Sequence, residues 1–231
     1  MRISTGSDLL DRLLHGGYET DIITTVYGPA GSGKTTLSLL AAVSTYKRNK
    51  KIIYVDTEGG FSVERLKQLT KHWKKVLNNI LFLKPTTFDE QKQAFQKLKN
   101  IAEKNIGIII VDTIAMLYRL ELGKDTTPEV NRELGRQLSY LTEIARKKNI
   151  PILITNQVYA NFENPNTVNL VGGDILKYSS KCLIELQNLK AASRRAILRK
   201  HRSIPGTAEI LFRITEKGLV KFKEKRGFKL F

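Results

Sequence analysis

Gly28-Pro29-Ala30-Gly31-Ser32-Gly33-Lys34-Thr35 sets glycine at its first and sixth positions, then lysine and a hydroxyl residue. Those types at that spacing are what a phosphate cradle requires. The glycines let successive backbone N–H groups curl around an anion, and a helix starting at Lys34 adds its positive end. Lys34 can reach the β- and γ-phosphates of a nucleoside triphosphate, and the Thr35 hydroxyl can coordinate Mg²⁺. Thr36 continues the same helix start. The implied cofactors are ATP and Mg²⁺.

Further polar groups stand at the ends of apolar runs, where strands would deliver them to one edge of a sheet. Ile108-Ile109-Ile110-Val111 ends on Asp112, a carboxylate able to hold Mg²⁺ through water. Val55 leads into Asp56-Thr57-Glu58-Gly59-Gly60, and a carboxylate there can polarise the water that attacks a γ-phosphate. Asp56 and Glu58 are two residues apart on an extended chain and face the same side, so residue type leaves both open. Glu-Gly-Gly is also ordinary turn chemistry. Ile150 to Ile154 ends at Thr155-Asn156-Gln157, and the Gln157 amide can sense a γ-phosphate and pass its presence onward. A polar stretch follows, residues 159–173, with Tyr159, Phe162, Pro165 and Gly172-Gly173. Loops of that length in a compact domain are more often functional than not. Its aromatics either stack on bases or pack back onto the domain.

These groups need a scaffold, and the hydrophobic pattern gives an α/β one. Ile22 to Tyr27 predicts a buried strand running into the glycine loop, and Leu37, Leu40, Ala41 and Ser44 predict the helix after it. Ile52-Ile53-Tyr54-Val55 predicts a second strand. Residues 62–77 and 88–103 have helical spacing, the latter with Asp89 and Glu90 in its first turn. Val130, Leu134, Leu138, Leu141 and Ile144 recur at steps of four and three, the mark of a long amphipathic helix. Ser4-Thr5-Gly6-Ser7-Asp8 ahead of Leu9, Leu10, Leu13 and Leu14, with Gly16-Gly17 behind, predicts a capped helix with a glycine end. From Cys182 onward apolar residues alternate (Cys182, Ile184, Leu186; Ala196, Leu198; Ile210, Phe212, Ile214), as in antiparallel strands. The expected fold is one α/β domain over residues 1–231: a central, mostly parallel sheet flanked by helices, with antiparallel strands at the C-terminal end.

Charge narrows the function class. Lysine and arginine total 39 against 22 aspartate and glutamate, a net charge of +17 and a pI near 9.9. An enzyme of small substrates does not need that imbalance, and the lysine-rich surface of a hyperthermophile carries glutamate to match. A nucleic-acid partner explains it. Basic residues gather at 47–51, at 71–75, at Arg194, Arg195, Arg199, Lys200 and Arg202, and at 221–229. In the third group a strand would aim Lys200 and Arg202 at one target. No apolar run approaches the ~20 residues of a membrane span, and no secretory h-region opens the chain. Cys182 has no second cysteine to pair with and reads as a packed small residue. The expected location is cytoplasmic.

Ser4 to Ser7, Leu10-Asp11, Leu13-Leu14, Gly16-Gly17, Thr24 to Thr35, Asp56 to Gly59, Asp112-Thr113, Thr155 to Val158 and Phe212 to Gly218 occur in a recognisable order. Over residues 2–220 that order resembles the ATPase core of the RecA/RadA recombinase family. The resemblance implies a RecA-type fold and assigns roles. Glu58 matches the glutamate that activates the hydrolytic water, Asp56 a structural position, Gln157 the γ-phosphate sensor and Arg65 an arginine near the adenine. It implies DNA-facing loops at 119–127 and 159–173, carrying the candidates Arg119, Lys124, Tyr159 and Phe162. Arg194 and Arg195, heading the basic run, are further DNA-binding candidates. Lys200 and Arg202 are similar to the basic pair that reaches a neighbouring subunit's ATP, which would require self-association.

The match begins at residue 2, so the family's N-terminal helical DNA-binding domain and the linker with its polymerisation phenylalanine are expected to be absent, as in core-only archaeal paralogues. The implied function is that of an ATP- and DNA-binding paralogue assisting homologous recombination and repair. It would modulate a RadA-type recombinase filament, on single-stranded or branched DNA. Without a neighbour's cation over the γ-phosphate, slow, DNA-dependent turnover is expected. Two alternatives use the same residues: a non-enzymatic mediator switched by ATP, and a KaiC-like ATPase or autokinase.

Overall fold

The computed structural model describes residues 1–101, 105–123, 127–160 and 168–222. Arg2–Ile3 (β1) pairs antiparallel with Tyr18–Glu19 (β2) around a short helix, Asp8–Leu13 (α1). Ser7 has the extended backbone of an N-cap, but its side chain caps nothing. The segment is tied instead by an acid inside the helix. The Asp11 carboxylate accepts from the Thr5 N–H at 2.7 Å and from the Ser4 and Thr5 hydroxyls at 2.6 Å each.

Ile23–Tyr27 (β3) is buried throughout and leads through the glycine loop into Lys34–Lys47 (α2). Lys51–Asp56 (β4) follows, then Val63–Leu69 (α3), Trp73–Asn78 (α4) and Ile80–Leu83 (β5). The helical spacing over 62–77 thus splits in two, because Thr70 takes an extended conformation between the halves. Phe88–Ile101 (α5), Ile106–Asp112 (β6), Met116–Leu120 (α6) and the long Thr127–Lys148 (α7) come next. Ile152–Asn156 (β7) precedes a small antiparallel pair, Val158–Ala160 (β8) and Val168–Leu170 (β9), then Gly173–Ser179 (α8). The described residues finish with Cys182–Asn188 (β10), Ser193–His201 (β11), Ala208–Thr215 (β12) and Gly218–Lys221 (β13).

Among the described residues, nine strands form the main sheet in the order β13-β12-β11-β10-β3-β7-β6-β4-β5. From β10 to β5 every neighbouring pair is parallel; from β10 to β13 every pair is antiparallel. The alternation at Cys182, Ile184 and Leu186 belongs to a strand that is parallel to β3 on one side and antiparallel to β11 on the other. A period of two cannot report that difference.

Apolar cores lie on both faces of the sheet, as a parallel sheet covered by helices demands. Along β6, Ile108 and Ile110 join Leu37, Leu40 and Tyr54 on one face, while Ile109 and Val111 join Phe95, Leu134, Leu138 and Leu141 on the other. Cys182 is buried on β10, and burial pushes its thiol up to about 12, as fits a packed residue. Among the described residues, no helix is long and apolar enough to cross a membrane.

Candidate nucleotide-binding site

The glycine loop opens at the C-terminal end of β3, where parallel strands point their carboxyl ends and ligands of such sheets collect. Gly33 sits at φ +105° as the N-cap of α2, a backbone state that favours glycine, and no side chain caps the helix. A Cβ at Gly33 would stand 2.5 Å from Ile214 Cδ1, and one at Gly28 would collide with the Leu186 carbonyl oxygen. Gly28 is therefore fixed by close packing against backbone, and Gly33 by its conformation. Lys34 is only 8% exposed, and its ammonium donates to the Gly28 and Pro29 carbonyls at 2.8 and 2.9 Å. Burial lowers its pKa below the ordinary lysine value, opposed by the charges of Glu58 and Asp112.

Asp112 ends β6 beside this loop and is 3% exposed. One carboxylate oxygen accepts from the Tyr54 hydroxyl at 2.8 Å and the other from the Thr155 hydroxyl. Burial, followed by the Asp112 charge, raises the Tyr54 pKa well above its ordinary value, so the phenol stays a donor.

Asp56 and Glu58, left open by residue type, have separate surroundings. Asp56 is turned into its own loop, accepting from the N–H groups of Gly60 and Phe61 at 3.1 and 3.2 Å. Glu58 lies on the cleft, where its Oε1 accepts from the Thr113 hydroxyl at 2.9 Å and from the Gln157 amide at 2.7 Å. A cleft of about 390 Å³ is lined by Ala30, Gly31, Gly33, Lys34, Thr35 and Thr36 on one side. Glu58, Asp112, Thr113, Gln157, Arg194 and Ile214 complete it.

The C-terminal strands close over the loop. The Asn188 amide donates to the Ala30 carbonyl at 3.1 Å, and Arg194 donates through Nε and Nη2 to the Gly31 carbonyl at 3.2 and 3.1 Å. Arg194, a DNA-binding candidate by sequence, thus stands at the nucleotide cleft, because the β10–β11 register sets it opposite Asn188. Its signal in the sequence was only membership of a basic run. Thr113 and Ile214 stood within quoted motif segments but without a role, and Asn188 carried no motif signal. Arg65 donates to Gln68 Oε1 and to the Thr215 carbonyl, both at 2.7 Å, tying α3 to the strand that covers Gly33.

Other expected site residues lie away from the loop. Lys200 donates to the Lys177 carbonyl at 2.7 Å. The Arg202 guanidinium is clamped within the chain, with bonds to Glu19 Oε1 at 3.0 and 2.8 Å and to Asp21 at 3.0 and 2.6 Å. The two cations therefore do not converge on one target, as strand geometry alone suggested. Arg195 is 3.7 Å from Glu209. Arg119 is exposed on α6, and Tyr159 is 53% exposed on β8. Lys124 and Phe162 lie outside the described residues, as do the basic positions from Lys223 onward.

The donor set suits a nucleoside triphosphate with Mg²⁺. An uncapped helix start with no acidic residue in its first turn, a lysine, and a buried Ser32 hydroxyl without a partner all leave donors for an anion. Thr35 and Asp112 offer the oxygen ligands that Mg²⁺ prefers.

Comparison with known proteins agrees with this geometry. The Rad51 family model matches residues 1–222. The DNA repair and recombination protein RadB of Methanobrevibacter smithii is 38% identical over 226 residues, 95% of this chain and 95% of that protein. The protein of the same name from Methanococcus maripaludis strain C7 is 42% identical over 214 residues, 91% of this chain and 97% of that one. The crystal structure of the RadB recombinase superposes with a TM-score of 0.82 at 36% identity, covering 96% of this chain and 100% of that one. The family model over residues 1–222, with RadB proteins matching 91–95% of the chain, shows that the chain belongs to the Rad51 family.

Proposed function

We propose that the chain binds ATP with Mg²⁺ and binds DNA, and that it assists homologous recombination and repair by modulating a RadA-type recombinase filament while hydrolysing ATP slowly. The observation that carries the ATP reading is the convergence of Lys34, Thr35, Glu58, Asp112 and Gln157 on one cleft. Lys34 and the loop N–H groups would hold the β- and γ-phosphates. Thr35 directly, and Asp112 through water, would hold Mg²⁺, which supplies positive charge to the phosphate oxygens. Glu58 would orient a water and take its proton. Gln157, bonded to Glu58, would pass the state of the terminal phosphate to β8, the next strand in the chain. Arg65 keeps the place beside the adenine that the family resemblance implies.

The net charge of +17 and relatives named for DNA repair and recombination support the DNA reading. Arg119, Arg195 and the exposed ring of Tyr159 are its candidate contacts on the described surface. The test joins both parts. Immobilised protein is expected to retain a RadA-type recombinase more strongly with ATP than without, and K34A to remove the ATP dependence. Anisotropy with labelled single-stranded DNA is expected to give a log–log salt slope of about −0.7 per phosphate contacted. Salt-independent affinity would overturn the DNA reading, and retention indifferent to ATP would overturn the nucleotide switch.

A further inference from the structure

Four arginines mark β11 and the bend after it: 194, 195, 199 and 202. Three have carboxylate partners. Arg195 pairs with Glu209, Arg199 with Glu185 at 2.7 Å, and Arg202 with Glu19 and Asp21. Arg194 differs. Among the described residues it bonds only backbone carbonyls, Gly31 through two donors and Ala192 at 3.2 Å through the third. Two donors of a guanidinium fork spent on one neutral oxygen at 3.1–3.2 Å are a poor match for a group built to grip a pair of anionic oxygens.

The surroundings say which anion. Gly31 lies three residues before Lys34, and a Cβ added to it would meet nothing within 4 Å, so the loop is open at that point. Lys34, Glu58 and Gln157 line the same cleft. The end of β11 is also held in place, since Asn188, directly opposite Arg194, bonds the Ala30 carbonyl. A cation on a sheet, rather than on a free loop, can be aimed before its ligand arrives.

Resting on the nucleotide reading above, we propose that Arg194 is an arginine finger in cis, whose guanidinium passes from the Gly31 carbonyl to the terminal phosphate of bound ATP. In hydrolysis the water oxygen bonds to the γ-phosphorus, the bond to the β-phosphate oxygen breaks, and the water proton goes to Glu58, leaving ADP and phosphate. Arg194 forms no covalent bond; it neutralises charge that develops on the γ-oxygens and the leaving oxygen. A cation is then present within the chain where none was expected from a neighbouring subunit. Turnover remains slow even so: a G-protein α-subunit, with its arginine in cis, works at on the order of 10⁻² s⁻¹.

The test compares R194A, R194Q and R194K with wild type by equilibrium binding of a Mg²⁺-bound non-hydrolysable ATP analogue and of ADP, with thermal melts as the folding control. Glutamine keeps a neutral donor for the Gly31 carbonyl; lysine keeps the charge. R194A and R194Q are expected to weaken the ATP analogue on the order of 10- to 100-fold, the range for a bond to a charged group, with a much smaller change for ADP. R194K is expected to recover part of the loss, and single-turnover hydrolysis to follow the same order. Equal losses for ATP and ADP would mean that Arg194 only braces the loop, and no loss in either would mean that it touches neither; both overturn the finger. Wild-type protein that binds neither nucleotide overturns the nucleotide reading itself, and the finger with it.

Discussion

Gln157 donates its Nε2 hydrogen to Glu58 Oε1 at 2.7 Å, across the ends of β7 and β4, the two strands that flank β6. The Thr113 hydroxyl donates to the same oxygen, so the carboxylate proposed as base and the amide proposed as sensor form one bonded unit. Displacing the amide leaves that oxygen free to accept from a water instead.

E58Q is therefore expected to cut single-turnover ATP hydrolysis by about 10²- to 10⁴-fold, the usual weight of a positioned base. ATP affinity is expected to stay near that of wild type, because Lys34 and the loop hold the phosphates. Quench-flow and equilibrium binding on the same preparation separate the two effects. Retention of a RadA-type partner by E58Q would place the output in ATP binding rather than in hydrolysis; an unchanged hydrolysis rate would remove Glu58 from the base role.

Lys34 gives a pH test with a definite sign. Burial lowers its folded-state pKa, whereas the unfolded chain restores the ordinary value of 10.5. Between those two values the unfolded state binds more protons, so stability contributed at this site rises with pH across that window. Urea unfolding of wild type and K34M at pH 7 and pH 10 is expected to show the difference moving in favour of wild type at the higher pH. A difference that stays flat or moves the other way would contradict a lowered Lys34 pKa.

The Arg202 clamp yields a third expectation. Burial raises the Glu19 pKa, but the Arg202 hydrogen bond and charge outweigh it, and the net value lies below the ordinary 4.5. R202A removes the guanidinium that Glu19 and Asp21 share and is expected to cost about 1 kcal/mol at neutral pH, discounted for partial exposure. Stability tied to a lowered carboxylate is lost as pH falls through its folded value, so the gap between R202A and wild type is expected to close under acid. Thermal melts at pH 7 and pH 3 check both statements. An unchanged melting temperature at pH 7 would mean that the clamp contributes nothing to the monomer.

The phosphate loop was legible because its determinants are contiguous: glycines that must be glycine and a lysine at a set offset all fall within eight residues. Asp112 was legible for a similar reason, an apolar strand that stops on an acid. The split between Asp56 and Glu58 was legible only through the family resemblance, because strand periodicity set both on one side. The strand in fact ends at Asp56, and the turn through Gly59, at φ +67°, folds Gly60 and Phe61 back onto it. The place of Arg194 beside the loop was not legible, because its contact with Gly31 crosses 163 positions of sequence. Only the strand register, invisible in composition, sets it there.

The nine residues of β11, at about 3.3 Å each, make a rod of roughly 30 Å. Arg194 stands near the end at the loop, and the acids that hold Arg202 gather at the far end, beside the start of β3. A run of charge that looks like a single patch on paper is thus a ruler with two separate readings. A mononucleotide at the loop is far shorter than the rod and leaves the distant ion pairs untouched. A polyanion touching both ends must lie along the rod for a length comparable to roughly nine phosphates of a DNA strand.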